Sequence, residues 1–231
     1  MDCLITVKNS KEAEILSDKD IDIVDIKNPD EGSLGCPTTN TVEEVLEALP
    51  ESLGTSIALG DFPNIPGTAS MAVKGALEYN TDYVKIGFKD SEEEAEIIAM
   101  LKACTEESKK SESNTKLVAA VYADKFQSKD VSLEKFVSLV AENGFDGVMI
   151  DTLEKKNGNL LDHMDTDRLS SFIDEAKKND LVTGLAGSLS IDELEKVRST
   201  GTDYIGVRGA LCEDGRSVID EKKTDLLLDK L

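Results

Sequence analysis

Short β-branched runs bounded by Gly, Pro, Asn or Asp alternate along this chain with amphipathic stretches of helical period. The runs cover residues 2–7, 21–27, 55–60, 82–87, 116–122, 146–151, 181–186 and 203–208. Their apolar positions are nearly continuous, as in parallel strands buried on both faces. The polar spacing between and after them predicts helices at about 10–16, 41–49, 68–79, 91–108, 132–143, 166–178, 191–199 and 219–231. Several of these open on Ser, Thr or Asp, whose side chains can accept from the unpaired amides of a first helical turn. Eight strands alternating with eight helices in 231 residues predict a single-domain (β/α)8 TIM barrel over residues 1–231. A doubly wound open sheet is the alternative, and the count of eight favours closure. Residues 220–231 should form the last helix, with Leu226, Leu227 and Leu228 as its apolar face. There is also an internal echo: Thr81-Asp82-Tyr83-Val84 reads like Thr202-Asp203-Tyr204-Ile205, and Asp22-Ile23-Val24-Asp25 loosely like residues 146–150. Two half-barrels would leave such a trace.

Charge narrows the function classes. The net charge is −21, from 47 acidic and 26 basic residues. That argues against nucleic-acid binding, which needs a basic footprint. A phosphate ligand would have to find a local cluster of positive charge, so lysines at strand ends gain meaning. Self-repulsion at this charge should weaken the compact state, and screening should relieve it. The melting temperature is therefore expected to rise from low to high salt; a flat or falling profile would give the acidity another cause. No apolar run approaches the length of a membrane span, and the N-terminus has no signal-peptide pattern, so a cytoplasmic location is expected. Cys3, Cys36, Cys104 and Cys212 are scattered, as reduced thiols are, and His163 is the only histidine. No metal and no cofactor is expected, since no tight acidic motif points to magnesium either.

In a TIM barrel the site lies at the C-terminal ends of the strands. Strand 2 ends there with Asp25 and Lys27, strand 4 with Lys85, and strand 6 with Asp151 and, four residues on, Lys155. Strand 3 ends at Gly60-Asp61, and strand 5 leads to Asp124. Strand side chains alternate, and barrel layers are filled from alternate strands, so Lys27, Lys85 and Asp151 should meet. They could be paired charges plugging the mouth, Lys27 with Asp151 and Lys85 with Asp25. They could equally be a working amine with its supporting groups; a buried lysine near another cation is a nucleophile for a carbonyl. Gly187-Ser188 after strand 7 and Arg208-Gly209-Ala210 after strand 8 stand where this fold usually cradles phosphate. A small-molecule triose phosphate fits that combination.

The runs Asp25-Ile26-Lys27-Asn28-Pro29 and Glu31-Gly32-Ser33-Leu34-Gly35 resemble the signature of the archaeal (5-formylfuran-3-yl)methyl phosphate synthases. The likeness continues through Gly60-Asp61, Pro66-Gly67-Thr68, Lys85-Ile86-Gly87, Tyr122-Ala123-Asp124, Met149-Ile150-Asp151-Thr152, Ala186-Gly187-Ser188 and Arg208-Gly209-Ala210. It touches strands 2 to 8. The resemblance implies a class I aldolase-like lyase that condenses two molecules of glyceraldehyde 3-phosphate, losing one phosphate and two waters, to make the furan of methanofuran. By the same resemblance Lys27 would form the Schiff base and Lys85 would be the acid/base group. Asp25, Asp151 and Lys155 would support them. Two rival readings remain at this point. Asp25-x-Lys27-x-x-Asp30 resembles the motif of orotidine-phosphate decarboxylase barrels, which work without a covalent intermediate. A phosphate-ligand sensor without turnover would use the same cradles. The sequence leaves a homo-oligomer open.

Overall fold

Each of the eight β-branched runs forms a strand in the computed structural model, which describes residues 1–90, 93–126, 130–213 and 217–230. They are β1 (Asp2–Val7), β2 (Ile23–Ile26), β3 (Gly54–Phe62), β4 (Tyr83–Phe88), β5 (Lys116–Tyr122), β6 (Gly147–Asp151), β7 (Val182–Leu185) and β8 (Tyr204–Val207). All pair in parallel with their sequence neighbours, and β8 pairs back onto β1, so the sheet is a closed barrel and not an open one. The described α-helices are α1 (Ser10–Leu16), α2 (Thr39–Ala48), α3 (Pro66–Leu77), α4 (Glu94–Ser108), α5 (Ala123–Phe126), α6 (Leu133–Glu142), α7 (Leu160–His163), α8 (Thr166–Lys178), α9 (Leu194–Arg198) and α10 (Glu221–Leu228). None is long and apolar enough to cross a membrane.

Local chemistry sets the helix starts. Thr38, Ser132, Asp165 and Asp220 each accept, on the side chain, the amide three residues on. The helix expected from residue 91 begins at Glu94; Ser91 and Glu92 lie outside the described residues, as does Leu231. The stretch expected as a helix at 191–199 splits into a 3-10 turn, Ile191–Glu193, and α9. In α10 only Leu227 of the three leucines is buried, with Thr224, while Leu226 is 51% exposed. Consecutive residues turn about 100° apart on a helix, so three in a row cannot share one face. The two short helices α5 and α7 were not expected, since four residues carry no readable period.

The internal echo has a structural basis at the N-terminal rim. Asp22, Asp82, Asp146 and Asp203 each precede an even-numbered strand. Their carboxylates accept the amides of Cys3, Thr55, Leu117 and Thr183, on the strand before, at 2.7–2.8 Å. Their carbonyls accept from Gly54, Lys116, Val182 and Asp2, leading into the strand after, at 2.7–3.2 Å. One residue type thus clasps three strands at four places around the ring. Asp203 also accepts the Thr183 hydroxyl at 2.7 Å. Asp203→Ala is expected to lower stability by about 1–3 kcal/mol, because buried donors on Thr183 lose their acceptor. Urea denaturation checks this; an unchanged midpoint would mean water replaces the carboxylate.

The core has two parts. A large cluster lies between strands and helices, and a smaller one, including Ile23, Ala58, Val118, Met149 and Tyr204, fills the barrel. Above that inner cluster the inward residues turn polar.

Candidate active site

The polar layer is built by the alternation of β2, β4 and β6. Lys85 Nζ lies 2.7 Å from Asp25 Oδ2, and both side chains are buried. The Thr6 hydroxyl donates to the same oxygen at 3.0 Å. Asp151 is buried too. Its Oδ1 accepts the Thr152 amide at 2.7 Å and Lys155 Nζ at 2.5 Å, and its Oδ2 accepts the Ser33 hydroxyl at 3.1 Å. Lys155 reaches in from a 3-10 turn, Lys155–Asn157, after β6. Burial pushes the Asp151 carboxyl up, but Lys155, Lys27 and the hydrogen bonds together bring it below the usual range.

Lys27 is 9% exposed, and its Nζ makes no hydrogen bond or ion pair among the described residues. The four charges therefore do not pair as a mouth plug would require. Lys85 takes Asp25 as expected, but Lys155 takes Asp151, and Lys27 is the cation left over. Burial lowers the Lys27 pKa to about 8; Asp151 and Asp25 raise it, and Lys155 and Lys85 lower it. The unfolded chain holds this proton up to the ordinary lysine value of 10.5 while the folded chain releases it at about 8, so stability should rise with pH across that window. Below the window the folded chain carries a desolvated cation. Comparing urea midpoints of wild type and Lys27→Met against pH checks this: the gap between them should close as pH rises from about 8 to 10.5.

A cavity of about 480 Å³ opens at this end of the barrel. Lys27, Lys85, Asp151 and Lys155 line it together with Gly187, Ser188 and Gly209. The chain turns through Gly187 and Ser188 with φ of +126° and +52°. Gly209 opens a 3-10 turn, Gly209–Leu211, whose leading amides have no acceptor within the turn itself. Ala210 follows in that turn and does not line the cavity. Arg208 is placed differently from the expectation. Its guanidinium is buried against Glu12, at 2.7 and 3.1 Å, and against the Thr6 carbonyl at 3.0 Å. Those bonds tie β8 to α1 and β1 at the cavity wall, which Arg208 also lines. Asp30 also lines this cavity but is exposed, unlike the buried cluster.

The partners of several contributing residues were not read from the sequence. Asp124 accepts the Leu153 and Glu154 amides, both at 2.8 Å, and so fixes the loop that carries Lys155. Asp61 does the same for the loop that follows Lys27. Both acids were visible at strand ends, but nothing in the sequence says which loop each would hold. Ser33 and Thr6 are ordinary hydroxyls whose partners lie 118 and 19 residues away.

Comparisons with known proteins place the chain. The family model for 4-HFC-P synthase matches residues 3–226. A protein of Methanococcus maripaludis named (5-formylfuran-3-yl)methyl phosphate synthase is 37% identical over 212 residues, 92% of this chain and 90% of its own. One of the same name from Methanosarcina acetivorans is 36% identical over 229 residues, 99% of this chain and 98% of its own. Among solved structures, 3-hexulose-6-phosphate synthase from Salmonella typhimurium superposes over both full chains with a TM-score of 0.66 at 17% identity. Phosphoribosyl anthranilate isomerase from Thermus thermophilus gives 0.65 at 12% identity, over 100% of this chain and 98% of its own. At those identities the two structures speak for the barrel alone. The family model and the relatives speak for more: this chain belongs to the 4-HFC-P synthase family.

Proposed function

We propose that this chain is a (5-formylfuran-3-yl)methyl phosphate synthase of methanofuran biosynthesis. It condenses two molecules of glyceraldehyde 3-phosphate through a Schiff base on Lys27, with loss of one phosphate and two waters. The observation that carries this reading is the unpaired, buried Lys27 amine beside Lys85, Asp151 and Lys155. The names of the relatives supply the product. In this reading the whole chain is one catalytic domain, acts in the cytoplasm, and uses no cofactor.

The free amine adds to an aldehyde carbon, and dehydration of the carbinolamine gives a protonated imine. The imine nitrogen then accepts the electron pair of the neighbouring C–H bond when a base removes that proton. The resulting enamine has two outlets. It can re-form the imine and expel phosphate from the β-carbon, or it can attack the aldehyde carbon of the second triose. Neither outlet needs an outside oxidant or reductant. Lys85, held against Asp25, is the acid/base group at the barrel wall. Asp151 and Lys155 line the same cavity, where Lys155 can meet phosphate oxygens. The turns at Gly187-Ser188 and Gly209 offer backbone amides to the phosphate that stays. With its guanidinium on Glu12, Arg208 supports that cradle from behind. This reading uses every charge of the cluster. A decarboxylase-like use of Asp25, Lys27 and Asp30 leaves Lys85 and Lys155 without roles.

Incubation with glyceraldehyde 3-phosphate tests it. Furan absorbance should grow with one phosphate released per furan. Phosphate-ligand binding with neither signal would overturn the reading in favour of a sensor or a different chemistry.

A further inference from the structure

The loop that follows Lys27, residues 28–35, is anchored from outside itself. Asp61, near the end of β3, accepts the Ser33 amide on Oδ2 at 2.7 Å and the Leu34 amide on Oδ1 at 3.0 Å. The Tyr122 phenol, buried at the end of β5, donates to the same Oδ1. Asp61 stands where the β3–β4 register slips, between Ala58 and Asp61. Two glycines leave room for the arrangement. A Cβ on Gly32 would sit 2.2 Å from Asp61 Oδ2, and one on Gly87 would sit 2.0 Å from the Tyr122 hydroxyl. Three elements thus converge on one carboxylate, and the loop it holds delivers the Ser33 hydroxyl to Asp151.

That hydroxyl lies 3.1 Å from Asp151 Oδ2 and 2.9 Å from the Thr152 carbonyl. The other oxygen of Asp151 already has Lys155 and the Thr152 amide. So Oδ2 is the oxygen of Asp151 without a cation, and Ser33 covers it. The charged groups acting on Lys27 are Asp25 on its own strand, Lys85 on β4, and Asp151 and Lys155 at the end of β6. Asp25 holds Lys85 on Oδ2, and its buried Oδ1 has no hydrogen-bond partner. Of the two carboxylates Asp151 acts on Lys27 the more strongly, so its pairing with the amine matters most.

We propose that Asp61 is a positioning residue: by holding the Ser33 and Leu34 amides it keeps the Ser33 hydroxyl on Asp151 Oδ2, and so prevents Asp151 from taking Lys27 as an ion-pair partner. A hydroxyl supplies the hydrogen bond that a buried carboxylate oxygen needs, and it adds no charge. Without it Oδ2 loses that hydrogen bond, and Lys27 is the lysine of the cluster that no carboxylate holds. The ammonium form is then favoured and the nucleophile is lost. The catalytic meaning of this rests on Lys27 being the Schiff-base lysine; the positioning itself does not.

The test therefore reads the Lys27 amine directly, without substrate. Wild type, Ser33→Ala and Asp61→Asn are labelled with trace acetic anhydride across a pH series, and Lys27 acetylation is measured by peptide mass against exposed Lys74 as reference. An asparagine at position 61 can accept on one oxygen only, so its NH2 faces a loop amide and that anchor is lost. In both variants Lys27 labelling at about pH 7 is expected to fall roughly three- to tenfold, an upward move of half to one unit, with recovery at higher pH. The acid limb of kcat/KM should move the same way. If Asp61→Asn does not fold, Ser33→Ala carries the test alone. Unchanged Lys27 labelling in folded variants, even with a lower kcat, would overturn the proposal and leave Asp61 a merely structural anchor. A shifted titration with substrate trapped on another lysine would uphold the positioning and refute the nucleophile.

Discussion

Lys27→Arg is expected to lower furan formation by at least about a thousandfold while the barrel stays folded. A guanidinium keeps the charge and much of the length of the lysine, but it cannot lose a proton near neutral pH and forms no imine. The cavity that Lys27 lines leaves room for the larger head group. Lys27→Met should be equally inactive for a different reason, having no nitrogen at all. It should also resist denaturation better than wild type below about pH 8, because a desolvated cation has been removed. That pairing, lost activity with gained stability, is what a strained functional group gives and a structural ion pair does not. Furan absorbance and urea midpoints measure the two halves. A Lys27→Arg enzyme close to wild type would show that the amine works as a charge and not as a nucleophile.

The second large effect falls on stability and lies outside the reacting cluster. Glu12 is fully buried on α1, accepts both guanidinium nitrogens of Arg208, and also takes the Lys8 amide at 2.8 Å. Glu12→Ala leaves a buried arginine with carbonyls only, at a cost of about 3–5 kcal/mol. Removing both charges, with Glu12→Leu and Arg208→Leu together, should cost less than the sum of the single changes. Chemical denaturation of the three variants gives the coupling. If Glu12→Ala shifts the midpoint little and mainly weakens substrate binding, Arg208 is a phosphate ligand after all.

The barrel was legible because each strand is a continuous apolar run closed by turn residues, and a count of eight favours closure over an open sheet. The strand ends that carry Asp25, Lys27, Lys85 and Asp151 followed from alternation alone. Pairing was not legible. Lys27 and Lys155 are both within reach of Asp151, and only the 3-10 turn after β6 decides that Lys155 wins. Arg208 showed the same difficulty: its place after strand 8 suggested phosphate, but a buried glutamate on α1 claims its side chain. Asp61 and Tyr122 could not be joined on paper, since 61 residues separate them and a register slip aligns them. The aspartates at the N-terminal rim left only the faint echo, although they form one repeated device around the barrel.

Borohydride trapping tests the central claim most directly. The enzyme is incubated with glyceraldehyde 3-phosphate, reduced, digested and mapped by mass spectrometry. The account expects one stable substrate adduct, on Lys27, formed in step with loss of activity and absent from Lys27→Arg. An adduct on Lys85 or Lys155, or inactivation-free reduction with no adduct while furan is still being made, would contradict it.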